Sequence, residues 1–149
     1  MRNLSASHRQ TAQLRDTYFE LLILAFEHCD PGGRALSTTQ SCYLERAKAF
    51  IDQRLEDETL NIDEIAHTIG ISKRYLHTVF SAAGSSVSRY IMTARLAHAA
   101  RLLRAERTKK TTIAEIAYRC GFKSVAHFAR TFKAHYHETP IAYRERKFG

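Results

Sequence analysis

Proline is scarce in this chain, with two residues in 149, and alternating runs of β-branched residues are almost missing. Without that alternation there is little to build strands from, and without prolines little to break helices, so the expected class is all-α. Cysteine is equally sparse. Cys29, Cys42 and Cys120 are odd in number, widely spaced and free of a Cys-x-x-Cys pair. That argues against a disulfide framework or a zinc site and suits a reducing compartment. The most apolar run, residues 21–26, is far too short to span a bilayer. Residues 1–10 lack the apolar core of a signal peptide, so a cytoplasmic location is expected, with no membrane partner. No nucleophile–base pair, paired-carboxylate site or glycine-rich phosphate loop stands out, and neither an enzyme nor a cofactor is expected. His135 and His137 invite a metal reading, but only Glu138 lies nearby as a weak third ligand, and no metal is expected.

What the chain does have is a hydrophobic fraction of 44%, enough for a packed core rather than wholesale disorder. It also has a formal charge of +8, unevenly placed. Residues 1–60 carry seven Lys/Arg against nine Asp/Glu, a net of −2, whereas residues 61–149 carry sixteen against six, a net of +10. A basic domain beside a mildly acidic arm is the asymmetry expected of a nucleic-acid binder, though a merely solvated surface can look the same.

An internal repeat separates those readings. Residues 61–80, NIDEIAHTIGISKRYLHTVF, read as a short helix, a tight turn and a second helix. Asn61 with Glu64 has the pattern of a capping box, Ile62, Ile65, Ala66 and Ile69 form an apolar stripe, and Gly70 supplies the sharp exit. Ser72 caps the second helix, which turns Leu76, Val79 and Phe80 inward and Lys73, Arg74, His77, Thr78 and Ser81 outward. Residues 112–132, TIAEIAYRCGFKSVAHFARTF, repeat the plan. Thr112 pairs with Glu115. Ile113, Ile116, Ala117, Cys120 and Gly121 follow their counterparts at an offset of 51, and Ser124, Phe128 and Phe132 at 52, so the second turn is one residue longer. Two helices joined by a glycine turn, the second basic outside, are the sequence form of a helix-turn-helix. One such match is weak; two in register are not.

In chain order, residues 11–29 read as an amphipathic helix with more apolar surface than an isolated helix carries, and residues 30–41 as a linker. A helix from about Cys42 to Leu55 presents Leu44, Ala47, Phe50, Ile51 and Leu55 on one face and leads the first repeat. Ser86 caps a long helix over 87–105, with Tyr90, Ile91, Ala94, Ala97, Leu102 and Leu103 apolar and Arg89, Arg95, Arg101 and Arg104 on its other face. It would span roughly 25–30 Å and join the repeats rigidly. A basic loop, residues 107–110, leads to the second repeat. Thr139 and Pro140 open a last short helix with Tyr143 as anchor and Arg144, Arg146 and Lys147 as its charged end. The domains are thus an arm over 1–41 and a DNA-binding domain over 42–149, with helix-turn-helix units at about 61–83 and 112–136.

Two I-x-x-I-A-x-x-x-G helices, at 62–70 and 113–121, are joined by Arg95-Leu96, Ala99 and Leu102-Leu103 in the connecting helix. Gly121-Phe122-x-Ser124, His127-Phe128, Arg130, Phe132-Lys133, Pro140 and Tyr143-Arg144 follow. This combination resembles the DNA-binding domain of AraC/XylS-type bacterial transcription regulators over about two-thirds of the chain. The resemblance implies seven helices in two subdomains, each offering a recognition helix to the major groove of double-stranded DNA. It further implies an activator that recruits RNA polymerase, a nucleoid-associated location, and an arm in which residues 11–29 end a dimerisation segment. Members often carry an effector-binding barrel upstream; a fragment of such a regulator and a short regulator remain equally open.

The base-reading positions implied by the resemblance fall on Arg74, His77 and Thr78. Arg74 is suited to a bidentate contact with guanine. The corresponding positions of the second repeat are Val125, Ala126, Ala129 and Arg130. Val125 and Ala126 can touch thymine methyl groups but donate no hydrogen bond, so most readout is expected from the first repeat. Arg130 is either a base contact or half of an intrahelical ion pair. Asn61, Lys73, Ser81, Thr112, Lys123, Ser124, His127 and Lys133 are assigned to the phosphate backbone. His137 stands where the family commonly has Gly, at a turn that histidine tolerates at some cost. Two rivals remain: a protein-interaction or dimerisation module with only non-specific DNA affinity, and an adaptor that would need Cys120 reactive rather than buried.

Overall fold

The computed structural model describes residues 36–105 and 111–146. All regular structure among them is helical, in seven segments: α1 (Thr38–Gln53), α2 (Ile62–Ile69), α3 (Lys73–Ala82), α4 (Val87–Ala105), α5 (Ile113–Arg119), α6 (Val125–Tyr136) and α7 (Pro140–Glu145). The expected helix over 11–29, the loop over 107–110 and Lys147 lie outside the described residues.

Caps decide where these helices begin. Helix α1 starts at Thr38, four residues before the sequence-based expectation, because Ser37 and Gln40 form a closed capping box inside the polar stretch assigned to the linker. Ser72, Ser124 and Thr139 each accept a hydrogen bond from the backbone N–H three residues on, at 3.1, 3.3 and 3.2 Å. Ser86 does the same for α4 through Arg89 N. Thr112 and Glu115 close the box expected of them. At Asn61 only half of it forms. The Asn61 side chain accepts from Glu64 N at 2.9 Å, but the Glu64 carboxylate turns to Arg54 at 3.0 Å. A cation within reach outcompetes the neutral N–H, since a charge-assisted bond is the stronger one.

The helices enclose two cores, and α4 belongs to both. Leu44, Ala47 and Ile51 of α1, Ile65, Ala66 and Ile69 of α2, and Tyr75, Leu76, Val79 and Phe80 of α3 bury themselves with Val87 at the start of α4. Leu96, Ala99, Ala100 and Leu103 from the second half of α4 bury themselves with α5, α6 and α7. A single apolar stripe along the connecting helix, as expected from sequence, is therefore incorrect. The buried face shifts around the axis between Ala94 and Leu96, which leaves Ala97 exposed and half-buries Arg95. The second core is aromatic: Phe122, Phe128, Phe132, Tyr136 and Tyr143 form a chain of ring contacts with centroids 4.6–5.5 Å apart.

Candidate nucleic-acid interface

Helix α3 follows its glycine turn as the sequence predicts. Gly70 takes φ +77°, Ser72 caps, and the buried Tyr75–Leu76 and Val79–Phe80 pairs fix the helix's rotation. The remaining positions, Lys73, Arg74, His77, Thr78 and Ser81, are all exposed on one side. Arg74 has no acidic partner among the described residues. Lys73 pairs with Asp63 at 3.0 Å, an exposed contact of small strength that a phosphate can displace. The Thr78 hydroxyl donates to the Arg74 carbonyl at 3.2 Å, which fixes its rotamer. Asn61 caps α2 and its side-chain N–H donates to Thr59 O, so capping occupies it.

Helix α6 presents less. Ala126, His127, Arg130 and Lys133 are exposed, as are Lys123 and the Ser124 cap in front of them. Val125 packs against the second core and Ala129 is half-buried, so these two turn partly inward. Arg130 has no carboxylate partner among the described residues, which removes the ion-pair reading there. His127 lies beside the Phe122 ring at a centroid distance of 6.0 Å. Thr112 keeps its hydroxyl in the capping box. At the far end of α6, His137 takes φ 63°, the left-handed conformation expected where the family has glycine.

Three residues have surroundings the sequence did not disclose. Arg95 is not on an outer face: its Nε donates to Leu55 O at 3.1 Å and an Nη to Asp57 O at 2.7 Å. Burial holds its guanidinium pKa down, against the pull of the Asp57 carboxylate. Arg144 is not a solvated end of α7. It folds back to donate to Thr111 O at 2.9 Å, while its Nε and other Nη are shielded and unbonded. Asp57 accepts from the Thr59 hydroxyl and N–H at 2.6 and 2.8 Å and from Arg54, and these bonds hold its carboxyl well below the usual range. Cys120 is fully buried, and burial pushes its thiol up to about 12. A thiol held neutral is a core side chain and not a nucleophile, so the adaptor rival loses its chemistry.

Two capped units, each with an exposed second helix, and a joining helix built into both cores define a tandem helix-turn-helix protein. The helix-turn-helix domain family matches residues 65–146. The transcriptional activator NphR of a Rhodococcus species is 32% identical over 102 residues, covering 68% of this chain and 30% of the relative. The chain thus spans about a third of that protein's length. An AraC-type transcriptional regulator from Chromobacterium violaceum superposes with a TM-score of 0.64 at 31% identity, over 72% of this chain and 94% of the other. The DNA-binding domain of the global transcriptional factor AdpA, solved in complex with a target DNA, superposes at 0.60 with 27% identity, over 68% and 88%. The chain belongs to the AraC-type helix-turn-helix family of DNA-binding transcription regulators. Among the described residues, no helix is long and apolar enough to cross a membrane.

Proposed function

We propose that this chain reads a specific duplex sequence with α3 and holds the adjoining turn of the duplex with α6, as a transcriptional activator. The observation that carries the proposal is the outward side of α3, where Arg74, His77 and Thr78 stand exposed on a helix whose rotation two buried pairs fix. Arg74 is a fork-shaped donor with no competing carboxylate among the described residues, suited to guanine O6 and N7. His77 lies one turn further along, within reach of neighbouring bases. On α6, Ala126 and Arg130 face outward, whereas Val125 and Ala129 offer little more than methyl contact. Lys123, the N–H groups beside Ser124, His127 and Lys133 then serve the phosphates, with Lys73, Ser81 and the helix starts at Asn61 and Thr112. The 19 residues of α4 span roughly 28 Å, commensurate with the ~34 Å between successive major-groove turns.

In this reading the residues before the DNA-binding domain are an arm, expected over 1–41 from sequence, whose residues 11–29 pair two copies. With α1 starting at Thr38, the arm closes just before Ser37. RNA polymerase is the proposed partner of the bound protein. Selection of bound sequences from a random duplex pool tests the central claim. The expected result is one enriched motif with its strongest positions under α3. Equal retention of random and selected duplexes would leave only non-specific affinity.

A further inference from the structure

The two units touch at a place other than the continuous backbone of α4, and the Arg95 side chain sits at the centre of that contact. Residues 54–60 of the first unit form a tight turn, with Asp57 N donating to Arg54 O and Leu60 N to Asp57 O. Arg95 reaches across from α4 and takes two carbonyls of that turn, Leu55 O and Asp57 O. The glycine turn of the second unit closes on the other side. A Cβ added at Gly121 would lie 2.5 Å from Leu55 O, 2.8 Å from Arg95 Nε and 2.9 Å from Arg95 Cζ. The guanidinium is thus held between the backbone of one unit and the backbone of the other. Nearby, His98 of α4 stands 3.9 Å from the Glu56 carboxylate of the same turn. Beside this junction, Asp52 and Leu55 of the first unit and Tyr136 and Tyr143 of the second line a cleft.

We propose that Arg95 is the positioning residue that fixes the orientation of the second helix-turn-helix unit relative to the first, and so the spacing of the two duplex turns they occupy together. The inference rests on the tandem DNA-binding reading above. Its logic is the choice of side chain. A junction that needed only apolar packing would hold Leu or Met, because half-burying a guanidinium costs free energy unless its N–H groups are bonded. Here two carbonyls bond them, and the fork shape demands that both carbonyls keep their places. The flat face of the same group then leaves room for a glycine and for nothing larger.

The test uses the full chain. Residual dipolar couplings of the free protein are expected to fit one alignment tensor for both units. In Arg95→Met the two units should fit tensors of different magnitude, each unit remaining folded. Arg95→Lys keeps the charge and stem but not the fork, and is read the same way if the Met variant does not fold. On duplexes, the wild type should lose affinity steeply when about five base pairs, half a helical turn, are inserted between the two contacted segments. Arg95→Met should bind the unaltered site roughly tenfold more weakly, because a loosened linkage lowers the effective concentration of the second unit, and it should discriminate less between the spacings. A single shared tensor in both variants overturns the proposal, as does an unchanged spacing preference. If the wild type prefers no duplex at all, the DNA-reading proposal falls, and the couplings still decide the role of Arg95.

Discussion

The two repeats share a template and differ in what surrounds it. Gly70 and Gly121 sit at equivalent points, with φ of +77° and +75°, yet a Cβ at Gly70 would meet nothing within 4 Å while one at Gly121 would strike backbone. The first glycine is there for conformation alone; the second is there for conformation and for contact. The same division runs through the caps. Thr112 and Glu115 close their box locally, whereas Glu64 leaves Asn61 for Arg54 and ties α2 to the end of α1. It runs through the cores too, the first largely aliphatic around Ile51, Ile65 and Leu76, the second built on rings that meet edge-on or tilted. A shared pattern specifies the local turn. It does not specify what the turn is built against.

The glycines offer the largest test of this difference. Gly70→Ala should cost about 1–2 kcal/mol, the ordinary penalty of a left-handed Cβ. Gly121→Ala should cost roughly 2–5 kcal/mol, since overpacking adds to the same penalty. Chemical denaturation of both variants measures the gap, and equal losses would mean that the second turn stands clear of the first unit. Next come the reading helices. Arg74→Ala should lose ~1–3 kcal/mol on the selected site and relax one base position. Arg130→Ala should lose less and leave the motif's information content nearly intact. A larger motif change from Arg130→Ala would reverse the assignment of reader and grip.

The smallest effect concerns acid. The Thr59 and Arg54 bonds depress the Asp57 carboxyl below its ordinary 3.8 in the folded chain. Its contribution is therefore full above that ordinary value and is lost as the pH falls toward the folded one. The stability difference between wild type and Asp57→Asn should be constant near neutrality and shrink from about pH 4 downward. Paired urea titrations along the pH axis would show this. A constant difference across that range would mean that the Thr59 and Arg54 contacts do not favour the ionised carboxyl.

Much of this architecture was legible because its determinants are local. Ser72, Ser124, Thr139 and Thr112 cap helices through groups three residues away, and an alternation of buried pairs fixes α3 by itself. The open face of α3 follows from the same spacing. Arg95 and Arg144 were not legible. Their partners lie 40, 38 and 33 residues distant along the chain, and a lone arginine on a helix has no periodicity that would announce a carbonyl. The dual service of α4 was hidden for a related reason. A hydrophobic stripe is sought on one face, and this helix changes faces at mid-length. The earlier start of α1 was concealed by composition, since Ser37-Thr38-Thr39-Gln40 looks like linker until its capping box is recognised.

Because α4 enters both cores, its length is more than a spacer. Each residue added to a helix advances it by 1.5 Å and turns it by about 100°. One residue inserted near Arg95 would therefore swing α6 out of line with α3 while barely changing their separation. Only a change of about a whole turn would restore the facing, and that would move the units by some 5 Å. If the two units engage successive duplex segments as proposed, the step between those segments is quantised by the helix. On the proposed reading, the bases read can be changed without touching this helix, but the distance between them would change only in jumps.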